Sequence, residues 1–540
     1  MVPKSSLRGI VSILSCSLLV LLPRVAHADP NSIDFATYFD ADMRDAAECA
    51  MSVDNGKVVV DPKSSNPAMS CPDMLSWKLF TEVTKERWWT NWASDPQTWP
   101  GKPFKLCTAN ATGADCCQPD AANNPGYGDT TTDKDYPNSL HCPYFPGDHI
   151  APATAAVAAA APVARRLGQP IGAHAIFLGQ GGLGAALMNA LPKAGEPEPG
   201  RVIRQEVGEI TVRNKPMFDH IFRGNLYNQQ GIAAVFNRSR DNLAGNAPYQ
   251  ATNGPASMSR IDLPIPAIMI KSNWLYEPFA KELGLTDDPS APYIKKEMVS
   301  TAFGKEYKGI HWLVSFHIST KDIPQWVWTT FEHVNNPGRC DFIGCNDSYG
   351  FASSDARPNP AATLNNFTRP HVRNDGLGSS SVIFELGTRY SSGAASRELA
   401  SVLDAMGIGT SATAKAEPEP SDKAWRSYRL KGSQVSFTNA MGRATRLGNS
   451  VTEGGFMTTS SCISCHARAA VKSTGNDASP LAPALGVFSF DRLSEVGYQQ
   501  SVSGTPHPDW YHGSGSRPAL QAMQTDFMWG MPFFAQPLSK

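Results

Sequence analysis

The chain lacks an excess of either charge: its 540 residues hold 48 lysines and arginines against 49 aspartates and glutamates. With no basic stripe it offers no nucleic-acid footprint and no electrostatic hold on an anionic membrane. Beyond the N-terminus it also lacks any apolar run long enough to span a bilayer, so stable membrane insertion is not expected. Long uninterrupted helical stretches are few, because 42 prolines and 44 glycines punctuate the chain. That excludes a helical bundle or a helical repeat array. What remains is a loop-rich, strand-containing globular chain, long enough for two or three domains.

The N-terminus carries a leader. Lys4 and Arg8 precede the apolar run Ile10 to Leu22, and Ala26-His27-Ala28 supplies a small-x-small cleavage site. The run is too short for a comfortable span, so residues 1–28 read as a signal peptide, with cleavage before Asp29 and a periplasmic address. Cys16 lies inside the run, which argues against a lipoprotein cysteine. An exported chain can keep disulfides. Apart from Cys462 and Cys465, the mature chain holds Cys49, Cys71, Cys107, Cys116, Cys117, Cys142, Cys340 and Cys345. This even set allows up to four bridges, whose pairing the sequence does not assign. Cys340 and Cys345 are placed to close a small loop, and the neighbours Cys116 and Cys117 are expected to take different partners. Some of these could instead be free buried thiols. Residues 29–150 therefore form a cysteine-rich, stapled region. Within it, Met74 to Trp92 reads as a helix whose stripe Trp77, Phe80, Val83, Trp88 and Trp92 is core.

Residues 151–410 form the β-rich main region. Gly179, Gly181 and Gly184 satisfy G-x-G-x-x-G, with Glu206 where a ribose-binding carboxylate would stand. No repeating βαβ pattern surrounds them, and a tight turn of small residues accounts for them. Ala267–Trp274, Ile310–Ser319 and Gln325–His333 are rich in β-branched and aromatic residues and read as strands. Alternation puts His311, Leu313, Ser315 and His317 on one face of the second, and Trp326, Trp328, Thr330 and Glu332 on one face of the third, with His333 opposite. Thr320 to Pro324 would turn one strand into the next. A polar sheet face bearing His311, His317 and Glu332 would follow, either solvated and hydrogen-bonded to neighbours or available for acid–base work. A short helix is expected over Ala395–Met406, then an exposed connection to Lys423.

From about Ala424 the last section carries Cys462-Ile463-Ser464-Cys465-His466. Two thiols at C-x-x-C spacing can each form a thioether to a haem vinyl group, and the histidine directly after the second is then placed to ligate the iron. A redox disulfide or a pair of metal-ligating thiols is the competing reading, but neither needs that histidine. Met531, in Gly530-Met531-Pro532-Phe533-Phe534, is the candidate second axial ligand, with Met528, Met523 and His512 as alternatives. Phe527, Trp529, Phe533 and Phe534 would line the porphyrin edge, though these methionines and aromatics would equally serve as plain core. Only nine residues follow Met531, so no C-terminal helix can pack across a haem. Gly455-Phe456 also stands closer to Cys462 than the glycine–aromatic pair of small cytochromes. The upstream region is therefore expected to cover part of the haem.

Several runs carry a family resemblance: Trp77-Lys78-Leu79-Phe80, Lys271-Ser272-Asn273-Trp274, His317-Ile318-Ser319-Thr320-Lys321, the segment Pro324 to His333, and Leu447-Gly448-Asn449-Ser450 before the motif. In these the chain resembles a group of large exported bacterial proteins, cytochrome c-like, with a single C-x-x-C-H near the C-terminus and no settled reaction. The resemblance spans most of the mature chain and implies one covalent haem c and a periplasmic address. The expected class is α+β: a disulfide-bearing N-terminal region, a β-rich main region, and a mainly helical cytochrome c-like haem lobe over 424–540. The leading expected function is single-electron transfer with a periplasmic redox protein or a respiratory-chain component. A haem-dependent oxidoreductase of peroxidase or oxygenase type, with His317 and Glu332 as its acid–base pair, is the alternative. A ligand-binding module with a haem relay is the third.

Overall fold

Alternation of bulky and polar side chains over residues 268–333 sets up strands, and the computed structural model joins them in one antiparallel sheet of seven. The structure describes residues 45–46, 48–60, 66–108, 115–119, 141–149, 207–251, 254–282, 285–302, 305–336, 347–350, 371–374, 380–383, 395–438, 445–453, 460–485, 505–513 and 519–539. The leader, the glycine run with Glu206, Cys340, Cys345 and Gly455-Phe456 lie outside the described residues.

The sheet strands are β1 (Ala93–Ser94), β2 (Val207–Arg213), β3 (Ile268–Tyr276), β4 (Lys295–Ala302), β5 (Lys305–Thr320), β6 (Val327–His333) and β7 (Tyr428–Gln434). Their order is β7-β6-β5-β3-β2-β1, with β4 on the outer half of β5. The strands expected over 267–274, 310–319 and 325–333 are thus present. The last two form a hairpin in which Val327 faces Thr320 and Glu332 faces Ser315. The sheet draws on three parts of the sequence: β1 comes from the cysteine-rich opening and β7 from the section that carries the C-x-x-C-H motif.

One face is apolar. Helix α1 (Pro72–Lys85) lies on it, its Trp77 edge-on to Phe331 at 5.2 Å and its Phe80 stacked over Phe316 at 5.9 Å. Trp88 and Trp425 extend the layer. Burying each of these side chains stabilises the fold by about 1.5–3 kcal/mol. The predicted helix over 74–92 is broken in two, because Arg87 adopts φ +56° and starts a separate turn over Trp88–Asn91. The predicted stripe is nonetheless core: Trp77, Phe80, Val83, Trp88 and Trp92 are all buried. Helix α2 (Arg397–Ala405) falls within the stretch expected to be helical.

Three disulfides staple the N-terminal part: Cys49–Cys71, Cys107–Cys116 and Cys117–Cys142. Cys116 and Cys117 take different partners, as expected, because their side chains leave a two-residue strand in opposite directions. Such bridges are compatible with an oxidising compartment outside the cytoplasm. Among the described residues no helix is long and apolar enough to cross a membrane.

The expectation of a mainly helical lobe over 424–540 is corrected. Among the described residues of that section the α-helices are α3 (Cys462–Ala467) and α4 (Gly530–Phe534). Beside them stands a three-stranded sheet of β8 (Ala470–Ser473), β9 (Leu481–Pro483) and β10 (Met523–Gln524). The physical reason is that Tyr428–Gln434 pairs with β6 and the chain after the motif turns straight into a strand, so the section is built against sheets.

Candidate functional site

Helix α3 is one and a half turns long and owes its position to a strand. Gln434, the last residue of β7, accepts the Ile463 N–H at 3.0 Å. Its amide donates to Thr445 Oγ1 at 2.7 Å and to Ser461 Oγ at 3.0 Å. Residues three and four apart share a helix face, so Cys462, Cys465 and His466 are neighbours on one side. All three are half-buried, while Ile463, Ser464 and Ala467 are buried. Among the described residues the six other cysteines are joined in disulfides and these two are not.

His466 is oriented from behind. Its Nδ1 donates to the Phe527 carbonyl at 2.8 Å, which leaves the lone pair on Nε2 and that nitrogen able to ligate a metal. The Trp328 ring stands beside the imidazole, centroids 4.3 Å apart. Burial pushes the ring's pKa down to about 4, so it is neutral at pH 7, as a ligand must be. Burial, and after it Glu453, pushes the Cys462 thiol well above its ordinary range. A redox C-x-x-C requires the opposite shift. Among the described residues no cluster of three or more His, Cys, Asp or Glu could hold a bare metal ion. Two cysteines and a neutral imidazole on one helical face are the donor types that thioether attachment with an axial histidine would use.

The Phe527 carbonyl is presented by a turn. Met528 N–H bonds the Thr525 carbonyl at 3.0 Å, and the two residues between, Asp526 and Phe527, have φ of +49° and +64°. Two consecutive non-glycine residues in the left-handed region cost about 1–2 kcal/mol each, which the surroundings must offset. Thr525 is tied to the Ala469 carbonyl by its N–H at 2.9 Å and its hydroxyl at 3.1 Å. On the far side of Phe527 lies a cavity of about 780 Å³ that Tyr511, His512 and Met523 also line.

The polar face of the sheet meets the motif. Register places Lys271 opposite His317, and His317 opposite Thr330. The segment 447–453 lies on this face: Asn449 Nδ2 contacts His317 Nε2 and Thr330 Oγ1, each at 3.1 Å. Glu453 stands 3.5 Å from His317 Nε2 and accepts the Asn449 N–H at 2.7 Å. Burial pushes Glu453 up to about 7. Burial first, then Lys271, His466 and Lys431, pushes His317 well below its usual value. Glu332 accepts the Ser450 N–H at 2.8 Å and Asn336 Nδ2 at 3.4 Å, and its carboxylate lies 3.4 Å from Lys431 Nζ, both side chains fully buried. Lys271 pairs with Glu209 at 3.0 Å.

The expected polar face is thus real, but its members have separate partners. Among the described residues, hydrogen bonds link His317 to Glu332 through Asn449 and Ser450. His311 belongs elsewhere, its ring bonded to Ser300 Oγ at 2.7 Å and the Gly309 carbonyl at 2.9 Å. Met531 is buried in the main core. It lies two residues from both Trp529 and Phe533, on the opposite side of α4 from that stacked pair, which packs with Cys465. Sequence reasoning missed Lys271, Glu453, Gln434 and the Phe527 carbonyl. The first three read as ordinary polar positions, and a backbone acceptor has no residue signature at all. No family model, no curated protein and no solved structure matches the chain.

Proposed function

We propose that the chain is an exported, periplasmic c-type haem protein that passes single electrons between a redox enzyme and the respiratory chain. Cys462 and Cys465 would hold the porphyrin as thioethers, His466 would ligate the iron, and Met531 is the candidate for a second iron ligand. When bound, the group supplies a one-electron Fe(II)/Fe(III) couple. The chain's own part is orientation and exclusion of water. The Phe527 carbonyl fixes the His466 tautomer, Trp328 limits the ring's rotation, and Trp529 and Phe533 shield the Cys465 side. The observation that carries the reading is the His466 Nδ1–H bond to a backbone carbonyl beside two cysteines, neither in a disulfide, on the same helical face. Membership of the cytochrome c-like group belongs to the same proposal.

Mature protein made in a host with haem-attachment machinery should show a Soret band and the mass increment of one porphyrin; absence of both refutes the proposal. A low-spin spectrum unchanged by carbon monoxide is expected, and Met531→Ala should convert it to a ligand-binding, high-spin form. If that substitution changes nothing, Met531 is not the ligand.

A second reading, a haem-dependent oxidoreductase, is favoured by one observation. His317 Nε2 is engaged by Asn449 and lies 3.5 Å from Glu453, while Nδ1 has no partner among the described residues, so a buried ring N–H at Nδ1 is free for a bound molecule. It predicts binding of cyanide or azide by the untouched protein and loss of turnover without loss of haem in His317→Ala.

A further inference from the structure

The turn that aims the Phe527 carbonyl at His466 is held at Thr525 by the Ala469 carbonyl and at Asp526 by its own carboxylate. Asp526 Oδ2 accepts the Leu263 N–H at 2.6 Å. Its Oδ1 receives the Lys321 ammonium and the Trp326 indole N–H, the latter at 3.3 Å. Lys321 in turn reaches Asp262 at 3.2 Å and the Pro324 carbonyl at 3.2 Å. Lys321 and Asp526 are almost fully buried, their side chains 8% and 5% exposed. Three donors from three points of the chain thus converge on the first left-handed residue of a two-residue turn, and the second left-handed residue supplies the acceptor for His466. Asp526 has no hydrogen bond or ion pair with His466 itself; its reach to the imidazole runs through the peptide that follows it.

Resting on the haem reading above, we propose that Asp526, clamped by Lys321 and Trp326, is a positioning residue that sets the reduction potential by holding the Phe527 carbonyl on His466 Nδ1. A donor–acceptor bond on the proximal imidazole makes the ring a stronger electron donor and favours the ferric iron. Loosening the turn lengthens that bond and shifts the couple toward the ferrous state. This needs no new contact to the haem and no change in its axial atoms.

A simple field effect predicts something different, and the signs separate the two. Asp526→Asn removes an anion and Lys321→Met removes a cation. If the pair acts only through its charges, the first raises the potential and the second lowers it. If it acts by positioning, both raise it, because each removes a point of the same clamp. Trp326→Phe, which deletes one donor and no charge, should raise it less.

The experiment is a spectroelectrochemical titration of purified haem-loaded wild-type protein and the three variants, with thermal melting to show that each is folded. The expected result is a shift of the reduction equilibrium toward Fe(II) of about five- to tenfold in both charge variants, the size of one neutral hydrogen bond; tenfold is about 59 mV for one electron. The His466 Nδ1–H proton should also exchange faster with solvent in each. Opposite shifts in the two charge variants, or unchanged potentials in folded, haem-loaded protein, would overturn the positioning role. Wild-type protein without haem would overturn the reading beneath it instead, so the two failures are distinguishable.

Discussion

Glu332 can be a catalytic acid or a charge that completes the fold, and its removal separates the two. The carboxylate is fully buried, 3.4 Å from an equally buried Lys431 ammonium, and also holds the Ser450 N–H at 2.8 Å. In Glu332→Gln the amide oxygen can keep the Ser450 N–H bond, but the new NH2 faces the Asn336 Nδ2 and Ser450 Oγ donors, and a lysine loses its counter-charge in a medium that solvates it poorly. Removing one member of such a buried pair costs about 3–5 kcal/mol, a large share of the roughly 5–15 kcal/mol that separates folded from unfolded chains. Replacing both members, Glu332→Gln with Lys431→Met, removes the stranded charge and should recover most of that loss. Urea unfolding followed by tryptophan fluorescence, with the disulfides intact, measures all four states of the cycle. The expected interaction energy is about 2–3 kcal/mol. Additive single effects, or a Glu332→Gln protein as stable as wild type but with diminished turnover, would refute the structural role and restore Glu332 as an acid–base candidate.

Three further outcomes are expected. Gly530→Ala puts a Cβ 2.2 Å from the Trp99 ring, which is itself sandwiched under the Arg213 guanidinium at 4.4 Å; overpacking of this kind costs about 1–3 kcal/mol and should lower the melting temperature. The contribution of three carboxylates to stability should fall as pH rises from about 4 to 8, because burial lifts Asp73 to about 6, and burial followed by repulsion from Asp73 lifts Asp347 to about 7 and Asp45 to about 8. The native state then holds more protons than the unfolded one below those values, and the contribution present at low pH is lost through them. A urea midpoint whose pH dependence Asp347→Asn leaves untouched contradicts that assignment. Finally, residues 424–540 expressed alone should lack a cooperative unfolding transition, since β7 loses β6, Lys431 loses Glu332 and His466 loses Trp328; a fragment that unfolds cooperatively would show that the motif has its own scaffold.

The hairpin over 305–333 was legible because alternation is a local property: Phe316 and Ile318 go to one face and Ser315 and His317 to the other whatever the rest of the chain does. The core stripe of α1 was legible for the same reason. The strand Tyr428–Gln434 was not. Its residues, YRLKGSQ, hold only two large apolar side chains, and its buried polar members are stabilised by partners far away in sequence. Lys431 meets Glu332, and Ser433 donates to Asp73 across 360 positions. Such long-range pairing leaves no periodic trace. Likewise nothing around Arg87 announces a left-handed residue that ends a helical pattern otherwise continuous to Trp92.

The same distinction explains why the motif itself could be read while its support could not. Cysteine and histidine at fixed spacing carry chemistry in their side chains, so five residues suffice to suggest it. Holding that chemistry in place falls here to a glutamine at the end of a strand, a carbonyl in a strained turn and a carboxylate clamped by a lysine. Each works because of where a distant segment has brought its partner. Small cytochromes can pack neighbouring helices against the motif; in the described part of this chain one short helix is pinned between a sheet edge and a left-handed turn. A geometry fixed at two such points responds to changes in either, which makes Gln434 and Asp526, both remote from the motif in sequence, the positions through which the rest of the protein can act on His466.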